Sequence, residues 1–232
     1  MRKITSFPKS IIAMLLVFIT FGSCKKSQEE NQPVPVRTTA SISFNNGIPE
    51  LNKLDFYVNG TKKASLTDAL NSTYNEIATG KIEVKVINPI SGAMVATTTL
   101  EILARDYSIF LCGNPIDPIL VFSEDNLNAP GTDNGKIRFV NLSPAVKNLS
   151  INEVGKQALF SNRPYKTSTS FENIPAANEI SFNLKETGSD AVITTLEKTK
   201  IEKGKIYTLI ATGERIENGS NANVKLLVLV NK

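Results

Sequence analysis

The sequence predicts an all-β protein: two tandem β-sandwich domains behind a signal peptide and a disordered tether. Three observations carry this. Short runs rich in Val, Ile, Phe, Tyr and Thr alternate with clusters of Gly, Asn, Asp and Pro, and no segment sustains a helical period. These runs repeat once along the chain. The first two dozen residues have the three-part layout of an export signal.

In chain order, the leader comes first. Arg2, Lys3 and Lys9 form a basic start, Ile11 to Phe21 an uncharged apolar run, and Gly22-Ser23 place small residues directly before Cys24. A spanning helix needs about 20 apolar residues; this run is about half that and is bounded by Pro8 and Lys9. The ending resembles the lipobox of a bacterial lipoprotein. That resemblance implies cleavage between Ser23 and Cys24, a diacylglyceryl group on the Cys24 sulfur, and acylation (palmitate) of the new N-terminus. An ordinary cleaved secretory signal is the rival reading. Residues 24–37 then read as a tether, because Lys25 to Pro33 contains no apolar residue that could pack. Two or more chains anchor stably where one does not. Lys25, in place of an aspartate, removes the inner-membrane retention signal, and Lys25 with Glu29-Glu30 resembles a surface-export tag of some Gram-negative groups. The expected location is the outer membrane, lipid-anchored, with the protein periplasmic or surface-exposed.

Composition narrows the function classes. Residues 1–23 hold three basic residues and no acidic one, so their removal lowers the formal charge from +4 to about +1. A concentrated basic footprint for nucleic acid is therefore missing. The chain has no histidine and no tryptophan. The first absence removes the commonest general base and most zinc sites; the second weakens a sugar-stacking platform. Beyond Cys24 the sole cysteine is Cys112, in the apolar run Tyr107–Cys112, which favours a buried thiol in a core.

The strand-like runs are Ala40–Phe44, Leu54–Val58, Lys62–Leu66, Lys81–Ile87, Tyr107–Cys112, Lys136–Val140, Glu179–Leu184, Lys205–Ala211 and Val224–Val230. Ile42, Phe44, Asn46, Pro49, Leu54 and Gly60 recur 95 residues on as Ile137, Phe139, Asn141, Pro144, Leu149 and Gly155. Thr98-Thr99-Leu100-Glu101 returns as Thr194-Thr195-Leu196-Glu197, and Tyr107 and Gly113 return as Tyr207 and Gly213. A collinear series of this kind predicts two homologous domains, over 38–124 and 136–232, with a linker at 125–135. Ile42/Phe44 and Ile137/Phe139 share a strand face and should enter the cores. Asn59-Gly60 predicts a type I′ hairpin; Val154-Gly155 keeps only the glycine, so that turn must differ. Tyr107 and Tyr207 suit either plain core packing or corner tyrosines whose hydroxyls cap a loop.

Arg138-Phe139-Val140-Asn141-Leu142-Ser143-Pro144 and Leu54-Asp55-Phe56-Tyr57-Val58-Asn59-Gly60 resemble the domain of unknown function 4397, over Thr38 to Lys232. Two departures stand out: Asn46-Gly47-Ile48-Pro49 replaces Asn-x-Ser-Pro, and the second repeat lacks the hairpin motif. The resemblance implies immunoglobulin-like sandwiches, often in tandem behind a lipobox, and supplies no catalytic residues.

Candidate chemistry is sparse. The linker Asp125 to Gly135 offers hard oxygens that calcium prefers, but in no D-x-[DN]-x-[DN]-G spacing. Asp55, Glu76, Asp106, Asp117, Glu172, Glu179 and Glu214 are the carboxylates available to a paired-carboxylate hydrolase. Sequons at Asn71, Asn141, Asn148 and Asn218 read as incidental. No catalytic residue, metal site or cofactor is assigned. The reading is a non-enzymatic, lipid-anchored envelope module, structural or protein-binding, held to the membrane through Cys24, with an envelope protein partner ahead of a glycan and no nucleic acid. The alternative is a carboxylate-based hydrolase or binding protein acting on envelope or dietary glycans.

Overall fold

The computed structural model describes residues 37–144, 148–213 and 223–232, and every described element is a strand. Cys24, its cleavage site, the tether before Arg37, Glu214 and Asn218 lie outside the described residues. No described helix is long and apolar enough to cross a membrane.

The first repeat forms β1 (Thr39–Asn46), β2 (Lys53–Val58), β3 (Thr61–Thr67), β4 (Asn75–Ala78), β5 (Gly80–Ile87), β6 (Met94–Ile102), β7 (Asp106–Gly113) and β8 (Pro118–Asp125). Sheet I has the order β4-β1-β7-β8 and sheet II the order β3-β2-β5-β6. The second repeat forms β9 (Asn134–Asn141), β10 (Asn148–Glu153), β11 (Ala158–Pro164), β12 (Thr167–Ser168), β13 (Glu172–Pro175), β14 (Ala177–Glu186), β15 (Val192–Ile201), β16 (Ile206–Thr212) and β17 (Lys225–Val230). Sheet III runs β12-β9-β16-β17, with β13 also on β9, and sheet IV runs β11-β10-β14-β15. The strand order is thus the same twice. β8 extends through Asp125 and β9 begins at Asn134, so the connection is 126–133, shorter than the 125–135 expected.

Each repeat closes on its own core. Ile42 and Phe44 meet Leu54, Phe56, Val84 and Val86 between sheets I and II; Ile137 and Phe139 meet Leu149, Ile151, Phe182 and Leu184 between sheets III and IV. The two sandwiches do not hang on a linker as beads. The outer faces of sheets I and III join in a third apolar cluster of Phe110, Cys112, Val140, Leu142, Ile210 and Leu229. The layer order is therefore II, I, III, IV. This explains why β16 is buried at every position while β5 alternates. Central strands have two covered faces, and the parallel pairs β1/β7 and β9/β16 lie there, as parallel pairs should. Cys112 accordingly sits between the sandwiches and outside the core of its own repeat.

Local chemistry sets the turns. Asn59 and Gly60 have φ of 48° and 78°, as a type I′ turn needs. In the corresponding turn of the second repeat only Gly155 is positive, at 80°, and the connection lengthens to 154–157. The hydroxyl of Tyr107 accepts the Leu103 N–H at 3.1 Å, and that of Tyr207 accepts the Glu202 N–H at 3.0 Å. Both are corner tyrosines. Asn46 Oδ1 accepts the Ile48 N–H at 2.9 Å and Asn141 Oδ1 the Ser143 N–H at 3.0 Å, so the repeated asparagine closes the turn after each first strand.

Candidate functional site

The junction between sheets I and III contains a buried polar knot. Arg138 points outward from β9, since its neighbours Ile137 and Phe139 point into the core, and its side chain has no exposed surface. It donates to Asp125 Oδ1 at 2.5 Å, to Ser123 Oγ at 3.1 Å, to Ser108 Oγ at 2.9 Å and to Thr208 Oγ1 at 2.9 Å. Its guanidinium also lies over the Phe171 ring at 4.5 Å. Asp125 Oδ2 accepts from Ser108 at 2.6 Å and from the Tyr74 hydroxyl at 2.5 Å. Tyr74 accepts in turn from Asn231 Nδ2 at 3.2 Å, and Asn231 Oδ1 accepts from Thr208 at 2.7 Å. Burial, followed by the negative charge of Asp125, pushes the Tyr74 phenol up to about 12. Burial likewise pushes the Cys112 thiol up to about 11, so it is an inert packing group rather than a nucleophile.

The knot reassigns the residues that suggested calcium. Asp125 is committed to Arg138, Asp133 Oδ1 accepts from Lys203 at 2.5 Å, and the ammonium of Lys136 takes the Asn126 and Asn128 carbonyls at 3.4 and 2.8 Å. Among the described residues no group of three His, Cys, Asp or Glu is placed to hold a metal.

The candidate hydrolase carboxylates are dispersed. Asp55 accepts from Ser65 at 2.6 Å and Lys62 at 3.1 Å on the outer face of sheet II, and Ser65, the larger cause, holds its carboxyl below the usual range. Glu76 accepts from Thr39, and Asp106 pairs with Arg37 at 2.7 Å. Asp117 in the β7–β8 connection, Glu172 on β13 and Glu179 on β14 are exposed. Of the sequons, Asn141 is fully buried, Asn71 donates to the Val230 carbonyl at 3.1 Å across the junction, and Asn148 donates to Asn162.

The two ends of the tandem differ. Arg37 binds Asp106 at the start of β7, the 126–133 connection leaves beside it, and Lys232 accepts the Ile206 N–H at 3.0 Å at the start of β16. Both described chain termini therefore lie at one end. The opposite end carries the β1–β2, β5–β6 and β7–β8 connections. There Ile116 is 94% and Ile90 74% exposed. Each follows an asparagine whose Oδ1 accepts its N–H at 2.9 Å: Asn114 for Ile116, Asn88 for Ile90. Asx turns thus hold two apolar side chains up into solvent. A small depression of about 100 Å³ lies at this end, lined by Gly47, Gly113, Asn114 and Gly213, and a larger open one of about 430 Å³ on sheet IV is lined by Ser150, Asn152, Ser161 and Lys185, with no aromatic ring.

Residues 40–152 match the family model described as Domain of unknown function (DUF4397). Over these residues the chain is similar to DUF4397. The match covers the first sandwich, β9 and most of β10. The motif Arg138 to Pro144 holds both the knot's arginine and the turn-closing Asn141. No curated protein matches the sequence. Among solved structures, the chain is similar to CBMbc, a family CBM26 module of Eubacterium rectale Amy13K solved with maltoheptaose, at 10% identity and a TM-score of 0.26, over 84% of this chain and 97% of that one. It is also similar to a candidate cell adhesion protein of Bacteroides uniformis, at 9% identity and a TM-score of 0.26, over 84% and 99%. A candidate cell adhesion protein of Bacteroides eggerthii gives 9% identity and 0.25, over 84% and 96%. At these scores the likenesses identify no partner.

Arg138 as a buried cation was not visible in the sequence. A serine or arginine between two core residues reads as a solvated position; only the second sheet laid over it makes it interior.

Proposed function

We propose that this protein is a non-enzymatic, lipid-anchored module of the bacterial cell envelope that binds another envelope protein through the loops opposite its chain termini. The observation that carries the reading is the polarity of the tandem. The described termini share one end, and the other end presents Ile116 and Ile90 on Asx turns. Loops on a rigid scaffold are the usual place for contacts, and here the scaffold is one stack of four sheets. An apolar tip fits a protein pocket better than a sugar. The sheet IV depression, lined without an aromatic ring, gives a glycan little to stack on.

The anchor is tested by Cys24→Ala followed by membrane fractionation and surface protease shaving of the full protein. Release into the soluble fraction is expected; a variant that stays on the membrane would remove the anchor from the proposal. The contact surface is tested with a photo-crosslinking residue at position 116 against one at Val154, an exposed position near the termini. Adducts to an envelope protein from 116, lost in an Ile90→Asp background, are expected. Equal adducts from both positions would overturn the surface assignment.

A further inference from the structure

We infer that the junction is a heterotypic lock: each repeat's outer face fits the other repeat of the chain and rejects a copy of itself. The argument starts from equivalent positions. Ile42 and Phe44 correspond to Ile137 and Phe139, so Ser43 corresponds to Arg138. Ser43 pairs with Ser108 in β1/β7 as Arg138 pairs with Thr208 in β9/β16. Asp125 faces Asp106 at the start of β7, and Asn231 donates its N–H to Ile206 at the start of β16, so these two also correspond. Asn75 faces Ile42 as Glu172 faces Ile137, which makes Tyr74 the counterpart of Phe171.

All four pairs of equivalents converge on the knot. Elsewhere in the junction equivalents also meet. A Cβ on Gly47 would lie 2.8 Å from the side chain of its counterpart Leu142, and Phe110 and Ile210 share the junction cluster. Gly113 and Gly213 line one small cavity. Two related faces that bring like positions together make an approximately two-fold contact, the arrangement a homodimer of a single repeat would use.

The chemistry across that contact is not symmetric. One arginine and one carboxylate occupy it, with serine and asparagine at the mirror positions. A first repeat facing its own copy would bury two Asp125 carboxylates against two Ser43 hydroxyls and no cation. A second repeat facing its copy would bury two Arg138 guanidinia against Asn231 amides and no anion. Unpaired buried charge is strongly unfavourable, so only the unlike pair closes. Discrimination comes from what the wrong pairing leaves unsatisfied. The Tyr74 proton sharpens this: it is given to Asp125, so the oxygen facing Asn231 can only accept.

The test is a double-mutant cycle by thermal unfolding of the full chain, using Ser43→Arg and Asn231→Asp. Asn231→Asp alone places a second carboxylate against a Tyr74 oxygen with no proton to give, and Tm should fall. Ser43→Arg alone adds a second guanidinium without an acid, with a loss of roughly 10 °C expected. In the Ser43→Arg background, Asn231→Asp should raise Tm instead. That reversal of sign supports the lock; a shift in the same direction in both backgrounds overturns it. Should Ser43→Arg fail to fold, the transplanted lock decides. Ser43→Arg, Asp125→Asn, Arg138→Ser and Asn231→Asp combined move the pair to the mirror positions, and a folded protein supports the inference while an unfolded one overturns it.

Discussion

The central and outer sheets of this tandem follow different sequence rules. In sheets II and IV one strand face packs and the other is wet, so Ile82-Glu83-Val84-Lys85-Val86 alternates apolar and charged. In sheets I and III both faces are covered, yet the sequence still alternates: Ile42-Ser43-Phe44 and Ile137-Arg138-Phe139. The two patterns look alike and mean opposite things. In the outer sheets the polar residue marks water. In the central ones Ser43, Ser108, Arg138 and Thr208 mark a second, polar interface whose members satisfy one another. Alternation reports that the two faces differ, and not that one of them is solvated.

The sharpest way to break this comparison is to leave Arg138 without its acid. Asp125→Ala strands a fully buried guanidinium, and a loss of roughly 3–5 kcal/mol is expected by urea unfolding. In the outer sheet II, Lys85→Ala breaks an exposed pair with Glu83 at 2.8 Å and should cost less than about 1 kcal/mol. Similar losses for the two substitutions would mean that the junction is wet.

Next in size is a pair of neighbours on β16. Leu209 faces the core of its own sandwich and Ile210 the junction cluster, both fully buried. If the junction is packed like a core, Leu209→Ala and Ile210→Ala should each cost about 2–5 kcal/mol. A markedly cheaper Ile210→Ala would recast the junction as a loose contact between independent sandwiches. A single unfolding transition for both variants is the companion expectation.

These comparisons also show what was legible beforehand. The repeat signal falls on β1, β2, β6 and β7 and on their counterparts β9, β10, β15 and β16. The short edge strands β4, β12 and β13 have too few residues to show a period. The stacking of sheet I on sheet III was invisible because it depends on which polar residues meet across it. The composition of 125–135 gave no sign that Asp125 closes β8 and accepts from Arg138, on the strand that follows the connection. Gly47, at the free position of Asn-x-Ser-Pro, becomes intelligible once Leu142 is seen packed against it, and the departure itself, Ile48 in place of serine, is buried in the core of the first repeat.

A smaller effect uses the corners that both repeats share. Tyr107→Phe and Tyr207→Phe each remove the acceptor for one loop N–H while keeping the ring, at a cost of about 1 kcal/mol each. The two should be alike, and additive, because they cap separate sandwiches. A large difference would show that the repeats are not energetically equivalent even where their geometry is.

The smallest effects separate the regions by pH. The folded junction holds the Tyr74 and Cys112 protons more tightly than the unfolded chain does. Their contribution is whole below the ordinary values of 10.0 and 9.0 and is lost as pH rises through about 12 and about 11. Asp55, on the outer face of sheet II, behaves oppositely. Its carboxyl is held below the ordinary 3.8, chiefly by the Ser65 hydroxyl, so its contribution is present above that value and fades as pH falls beneath it. Tyr74→Phe should therefore flatten the alkaline limb of a stability profile and leave the acid limb alone, and Asp55→Asn should do the reverse. If Tyr74→Phe left the alkaline limb unchanged, the Tyr74 proton would have no part in the pH dependence of the junction.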